Sequence, residues 1–180
     1  ALGISGDQTV NLLWRLSNGE MPKNLKPKII WLLIGTNDFK RQNFCSAEVV
    51  VMGIKAVVQK IRALRPSAVV VVNAIFPRGD LDGMRGKLMT RDPDTAWVQP
   101  TPIWKAIQTI NDQLEEYCKS MPNTLYANYN HLFIERNTET GEDHIPRELM
   151  DDALHPTAKG YRIWGEQIVK KVKHLARNVN

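Results

Sequence analysis

Apolar residues along this chain fall into two kinds of run. Ile29 to Ile34 and Ala68 to Val72 are unbroken apolar stretches, and a weaker one extends from Leu125 to Tyr129. Each follows a helix-breaking Pro or Asn and is rich in β-branched or aromatic residues, which predicts buried strands. The first two lack alternation, the pattern of a parallel sheet covered on both faces. Between them the spacing is helical: Val10, Leu13, Trp14 and Leu16; then Val50, Ile54, Val57, Val58, Ile61 and Leu64. Two further sets follow, Ile103, Ile107, Ile110, Leu114 and Tyr117, and lastly Tyr161, Trp164, Ile168, Val172 and Leu175. Helix and strand therefore alternate along the chain. Such alternation predicts an α/β protein with right-handed crossovers, a parallel sheet, and ligands bound outside the carboxyl ends of the strands.

Two stretches carry no period. Residues 77–102 hold Gly, Pro and charges over a span long for a connection, and residues 137–146 form a second polar loop. The first, with Arg78, Asp80, Asp82, Arg85, Arg91 and Trp97, reads as a flank of a substrate mouth or as a partner surface. A length of 180 residues with no repeat and no low-complexity tract predicts one domain over residues 1–180. The net charge of +5 changes this picture little. Part of the excess gathers at Lys170, Lys171, Lys173 and Arg177, the solvated face of a terminal helix, and no reader motif accompanies it, so nucleic acid is not an expected partner. No apolar run approaches the ~20 residues of a membrane span. Two cysteines, Cys45 and Cys118, make neither a disulfide framework nor a zinc site, and His131, His144 and His174 lack ligand spacing. No metal or organic cofactor is expected. The chain opens on Ala1 without an initiator Met, so the natural N-terminus is expected further upstream, and localisation is left undefined.

Chemistry is sought just after the strands. Gly3-Ile-Ser-Gly6-Asp7-Gln-Thr9 precedes the first helix, where glycines let backbone N–H groups face a substrate and Asp7 or Thr9 can cap the helix. Gly35-Thr-Asn37-Asp38 ends the strand Ile29 to Ile34; Asn37 there is either an ordinary turn residue or an amide donor to a developing oxyanion. The strongest local signal is Asp152-Ala-Leu-His155-Pro156. Three-residue spacing on a short loop lets Asp152 accept from His155 Nδ1–H, leaving Nε2 to take a proton from a nucleophile.

Together these blocks resemble the SGNH, or GDSL-like, hydrolase superfamily, from Gly3 to about Val169. Gly3-Ile-Ser-Gly-Asp-Gln-Thr, Leu13-Trp-Arg-Leu, Asn18-Gly-Glu, Lys26-Pro-Lys and Phe76-Pro-Arg-Gly79 are similar to the branch containing the catalytic α subunits of platelet-activating factor acetylhydrolase. The resemblance implies a flavodoxin-like three-layer α/β/α fold with strand order 2-1-3-4-5. It also implies Gly6 and Asn37 as oxyanion-hole donors, Asp152 as orienting acid and His155 as general base. The activity it implies is hydrolysis of a small or medium acyl ester of a carbohydrate or lipid through an acyl-enzyme, with a homodimer or an assembly subunit compatible with that branch.

One block is absent from these residues. The superfamily's nucleophile sits in a Gly-Asp-Ser segment after the first strand, and no Gly-Asp-Ser occurs here; Ser5, Ser17, Ser46, Ser67 and Ser120 do not follow a buried strand in the required way. In the order 2-1-3-4-5 the first strand is central. Without it Ile29 to Ile34 would border a gap, at ~1 to 3 kcal/mol per buried unpaired backbone group against a net stability of ~5 to 15 kcal/mol. That strand and the nucleophile are therefore expected upstream of Ala1. The competing expectations are a catalytically inactive subunit kept for binding or assembly, and an unrelated flavodoxin-like phosphate or nucleotide binder, which leaves the Asp152–His155 loop unexplained.

Overall fold

The computed structural model describes residues 2–39, 45–79, 86–91 and 98–178. It divides into two compact units, one of residues 1–75, 110–127 and 175–180, the other of residues 76–109 and 128–174.

The first unit is organised by a parallel sheet. Its strands are β1 (Ile29–Leu32), β2 (Val69–Asn73) and β5 (Thr124–Ala127), in the order β1-β2-β5. Ile30 stands opposite Val70, and Val72 opposite Tyr126. Three strands in chain order, all parallel, match the 3-4-5 end of the expected arrangement. In the central strand Val70, Val71 and Val72 are at most 1% exposed, so its run of valines meets side chains on both faces. In β1 Ile29, Ile30 and Trp31 are half-buried and only Leu32 is buried; among the described residues β1 pairs with β2 alone.

The crossover from β1 to β2 is α2 (Ala47–Leu64), whose Val50, Ile54, Val57, Val58 and Ile61 recur at helical spacing and are at most 2% exposed. Burying each such side chain contributes ~1.5 to 3 kcal/mol. The helix α1 (Thr9–Ser17) packs against α2. Its pattern is only partly an inward face: Leu16 is buried, but Val10 and Trp14 are 64% and 65% exposed, against the expectation of an apolar seam. The helix α3 (Pro102–Ser120) crosses from the second unit into the first. There Asn111 clamps the chain just beyond β2, accepting from Ile75 N at 2.8 Å and donating to Ile75 O at 2.9 Å.

The second unit holds two small antiparallel ribbons, one inside residues 77–102 and one bracketing the start of the polar loop 137–146. They are β3 (Met89–Arg91) with β4 (Val98–Pro100), and β6 (Glu135–Arg136) with β7 (Asp143–His144). Asp80, Asp82, Arg85 and Trp97 lie outside the described residues, whereas Arg78 is buried. The unit's core gathers Phe76, Phe133 and Trp164, with ring centroids 4.8 and 5.0 Å from that of Phe76. Trp164 belongs to α4 (Ala158–Asn178), the last helix. Tyr161 on the same helix, expected in the core, is 53% exposed. No helix among the described residues is long and apolar enough to cross a membrane.

Candidate active site

The loop entering α4 is built by its own short-range bonds. Leu149 and Met150 are buried, and Thr157, just before the helix, donates its N–H to Leu149 O at 2.8 Å while its hydroxyl accepts from Gly160 N at 3.2 Å. That is an N-cap, one of the helix's orphan donors satisfied by a Thr side chain. Gly160 is required here because a Cβ would collide with Leu149 O. The loop from Asp152 to His155 is thus pinned at its exit.

Within it, Asp152 is encircled by donors. Oδ1 accepts from the backbone N–H of Leu154 at 2.9 Å and of His155 at 2.7 Å, and Oδ2 lies 2.7 Å from His155 Nδ1. Partial burial pushes the Asp152 pKa up, but these hydrogen bonds outweigh it and hold the carboxyl below its ordinary value. Nε2 of His155, whose side chain is 68% exposed, makes no hydrogen bond to the described residues. Between the pair, Ala153 takes a left-handed backbone with φ 60° while 1% exposed. Its carbonyl accepts from Gly79 N at 3.2 Å, and its N–H donates to Met150 O at 3.3 Å. The segment Phe76-Pro-Arg-Gly79 after β2 therefore braces the acid–base loop, a role that no spacing in the sequence signals.

The other two expected site residues belong to the first unit. Gly6 is third in the turn closed by Asp7 N to Ile4 O at 3.3 Å, and its φ of 82° is one that a β-turn of this type takes with glycine. Asn37 sits in the 3-10 turn Thr36–Phe39 just past β1. Its Nδ2 donates to Asp7 O at 3.0 Å, and its carbonyl accepts from Gln8 Nε2 at 3.2 Å. The structure thus joins Asn37 to the glycine block and Asp152 to His155, each pair in its own unit.

Helix capping differs from expectation. Neither Asp7 nor Thr9 is the cap of α1; Gln8 is, in a reciprocal box with Asn11. Asp7 instead pairs with the Arg15 guanidinium, which also holds Glu20. Thr9 donates to Asp38, the buried last residue of the Gly35 block, for which the sequence names no partner. Among the serines, Ser17 and Ser120 bond carbonyls of their own helices, at Leu13 and Tyr117. The described residues contain no group of three or more His, Cys, Asp or Glu able to hold a metal.

A parallel α/β sheet flanked by helices, with an acid–histidine pair on the loop before its last helix, is the architecture of a flavodoxin-like α/β protein. Residues 1–163 match the GDSL-like Lipase/Acylhydrolase family, and the chain belongs to that family, within the SGNH superfamily. It is 33% identical over 159 residues to platelet-activating factor acetylhydrolase IB subunit alpha2 of Rattus norvegicus and 31% to that of Homo sapiens. These alignments take in 88% of the chain and 57% of the relatives, so the chain spans somewhat more than half their length. Its fold is also that of a GDSL-like lipase from Bacteroides thetaiotaomicron, with a TM-score of 0.69, 21% identity, and coverage of 96% of this chain and 74% of that one. A mutant acetyl esterase solved with an acetate ion gives a TM-score of 0.64 at 19% identity, over 99% of this chain and 72% of that one.

Proposed function

We propose that this chain is the base-bearing part of a serine ester hydrolase that works through an acyl-enzyme. The observation that carries the reading is the 2.7 Å contact of His155 Nδ1 with Asp152 Oδ2, with Oδ1 already held by two backbone donors. A carboxylate fixed in this way selects the tautomer in which Nε2 is the basic nitrogen. In the reaction a serine hydroxyl attacks the ester carbonyl while Nε2 takes its proton. The tetrahedral oxyanion is held by the Asn37 side-chain amide, the Gly6 N–H and the serine N–H, and collapse expels the alkoxide, which recovers the proton from His155. Water then attacks the acyl-enzyme with His155 again as base, releasing the acid.

The nucleophile in this reading stands on a further strand beside β1. The half-exposed Ile29 and Ile30 support that placement, because a half-covered apolar strand at the end of a sheet is a ready template for another. With that strand added, the residues form a single domain rather than two. The substrate is an ester of a short or medium acyl group on a lipid or carbohydrate; the relatives named as acetylhydrolase subunits and the structural neighbour named as an acetyl esterase favour acetyl. The subunit naming of those relatives is compatible with a homodimer or a larger assembly.

The test is a fluorophosphonate probe on the full-length protein. Attachment to a serine, abolished by His155→Ala, is the expected result. Absence of labelling in the full-length wild type sinks the esterase reading and leaves an inactive subunit with a binding or assembly role.

A further inference from the structure

Asp38 is a carboxylate that is 3% exposed, yet the groups it serves are neutral. Oδ1 accepts from the Thr9 hydroxyl at 2.7 Å and Oδ2 from the Thr9 N–H at 3.1 Å. Thr9 is the first residue of α1, so a negative charge there meets the positive end of the helix. Gln8 and Asn11 cap each other at that end, and Asp38 takes the Thr9 N–H that they leave. Burying a charge is costly unless it is fully hydrogen-bonded, and a neutral side chain would have capped the helix more cheaply.

What the carboxylate adds is a tie between two loops. Thr9 to Asp38, Asn37 Nδ2 to Asp7 O and Gln8 Nε2 to Asn37 O together lash residues 7–9 to residues 37–38. On α2, Gly53 lies so close to Thr9 that a Cβ there would overlap its hydroxyl, which leaves Thr9 no room to retreat. An amide NH2 carries two protons. With one fixed on Asp7 O, the direction of the second is set by how residues 7–9 are held.

We propose that Thr9 and Asp38 form a latch that positions the Asn37 amide, which makes Thr9 and Asp38 positioning residues for that oxyanion donor. This rests on the esterase reading above. An oxyanion exists only in the transition state, so a loosened latch lowers kcat and spares KM.

The experiment is steady-state hydrolysis of p-nitrophenyl acetate by the full-length protein. Thr9→Val, which keeps the shape and removes the hydroxyl, is expected to lower kcat roughly ten- to a hundredfold at constant KM, with Thr9→Ser within about twofold of wild type. In the Asn37→Ala background Thr9→Val should cost nothing more, because the group it positions is gone. Gly53→Ala, which pushes on Thr9 without removing a bond, should reproduce the kcat loss and serves if Thr9→Val does not fold. A Thr9→Val enzyme with wild-type kcat beside a slowed Asn37→Ala enzyme overturns the latch, as does a full additional loss in the double variant. An Asn37→Ala enzyme as fast as wild type overturns the oxyanion reading itself, and the latch with it.

Discussion

Asp152 is held by hydrogen bonds from the two residues that follow Ala153, so its charge is tied to one local conformation. Its pKa is depressed in the folded loop and returns to about 3.9 when the chain unfolds. The sign follows: the ionised group adds stability above about pH 4, and that contribution disappears as the pH falls through the lower, folded value. Asp152→Asn keeps an oxygen for the backbone donors but loses the charge. It should be less stable than wild type at pH 7, with the difference closing on acidification below about pH 4, as read by urea unfolding at each pH. A gap that stays constant with pH would mean that the charge contributes nothing. The pair itself was legible in the sequence because its partners are three residues apart, a spacing that one turn of loop enforces. The bond from Thr9 to Asp38 was not legible, because the two are 29 residues apart and only the fold brings them together.

At the scale of elements, the exit of β1 shows how closely strand and helix meet. Gly35 has φ 117°, and a Cβ on it would lie 2.9 Å from both Ile54 Cδ1 and Ile75 Cδ1. Gly35→Ala therefore meets backbone strain and overlap together, an expected loss of about 1 to 3 kcal/mol in thermal or chemical unfolding. Ile54→Val removes one of the colliding methyls. Alone it should cost ~0.5 to 1.5 kcal/mol, and in the Gly35→Ala background distinctly less; strict additivity of the two losses would disprove the contact. The helices and parallel strands were legible because each long apolar run or helical stripe has a core to face. The ribbons β3–β4 and β6–β7 were not, being at most three residues per strand, too short for any period to register. Val10 and Trp14 misled for the opposite reason: helical spacing marks a face as apolar without saying what covers it.

For the whole molecule, the path of the chain matters as much as its two units. It passes between them four times, after residues 75, 109, 127 and 174, and two of those passages lie inside the continuous helices α3 and α4. Neither unit can lose its structure without fraying a helix shared with the other, so one cooperative transition is expected. Cys118 reports on it. Burial first, then the nearby Glu115 carboxylate, pushes this thiol up to about 11, and it is 3% exposed. Its alkylation should track the loss of helical circular dichroism through denaturant; labelling at lower denaturant would reveal separate unfolding of the units.

One edge of the sheet has a consequence for handling the protein. Among the described residues β1 pairs with β2 alone, so its outer border runs beside the half-covered Ile29 and Ile30, and no Lys or Pro stands within Ile29–Leu32 to guard it. Two copies of these residues can satisfy that border on each other. Any preparation in which that border stays uncovered is therefore driven toward intermolecular β-pairing, and clouding that worsens with concentration is the expected sign of it.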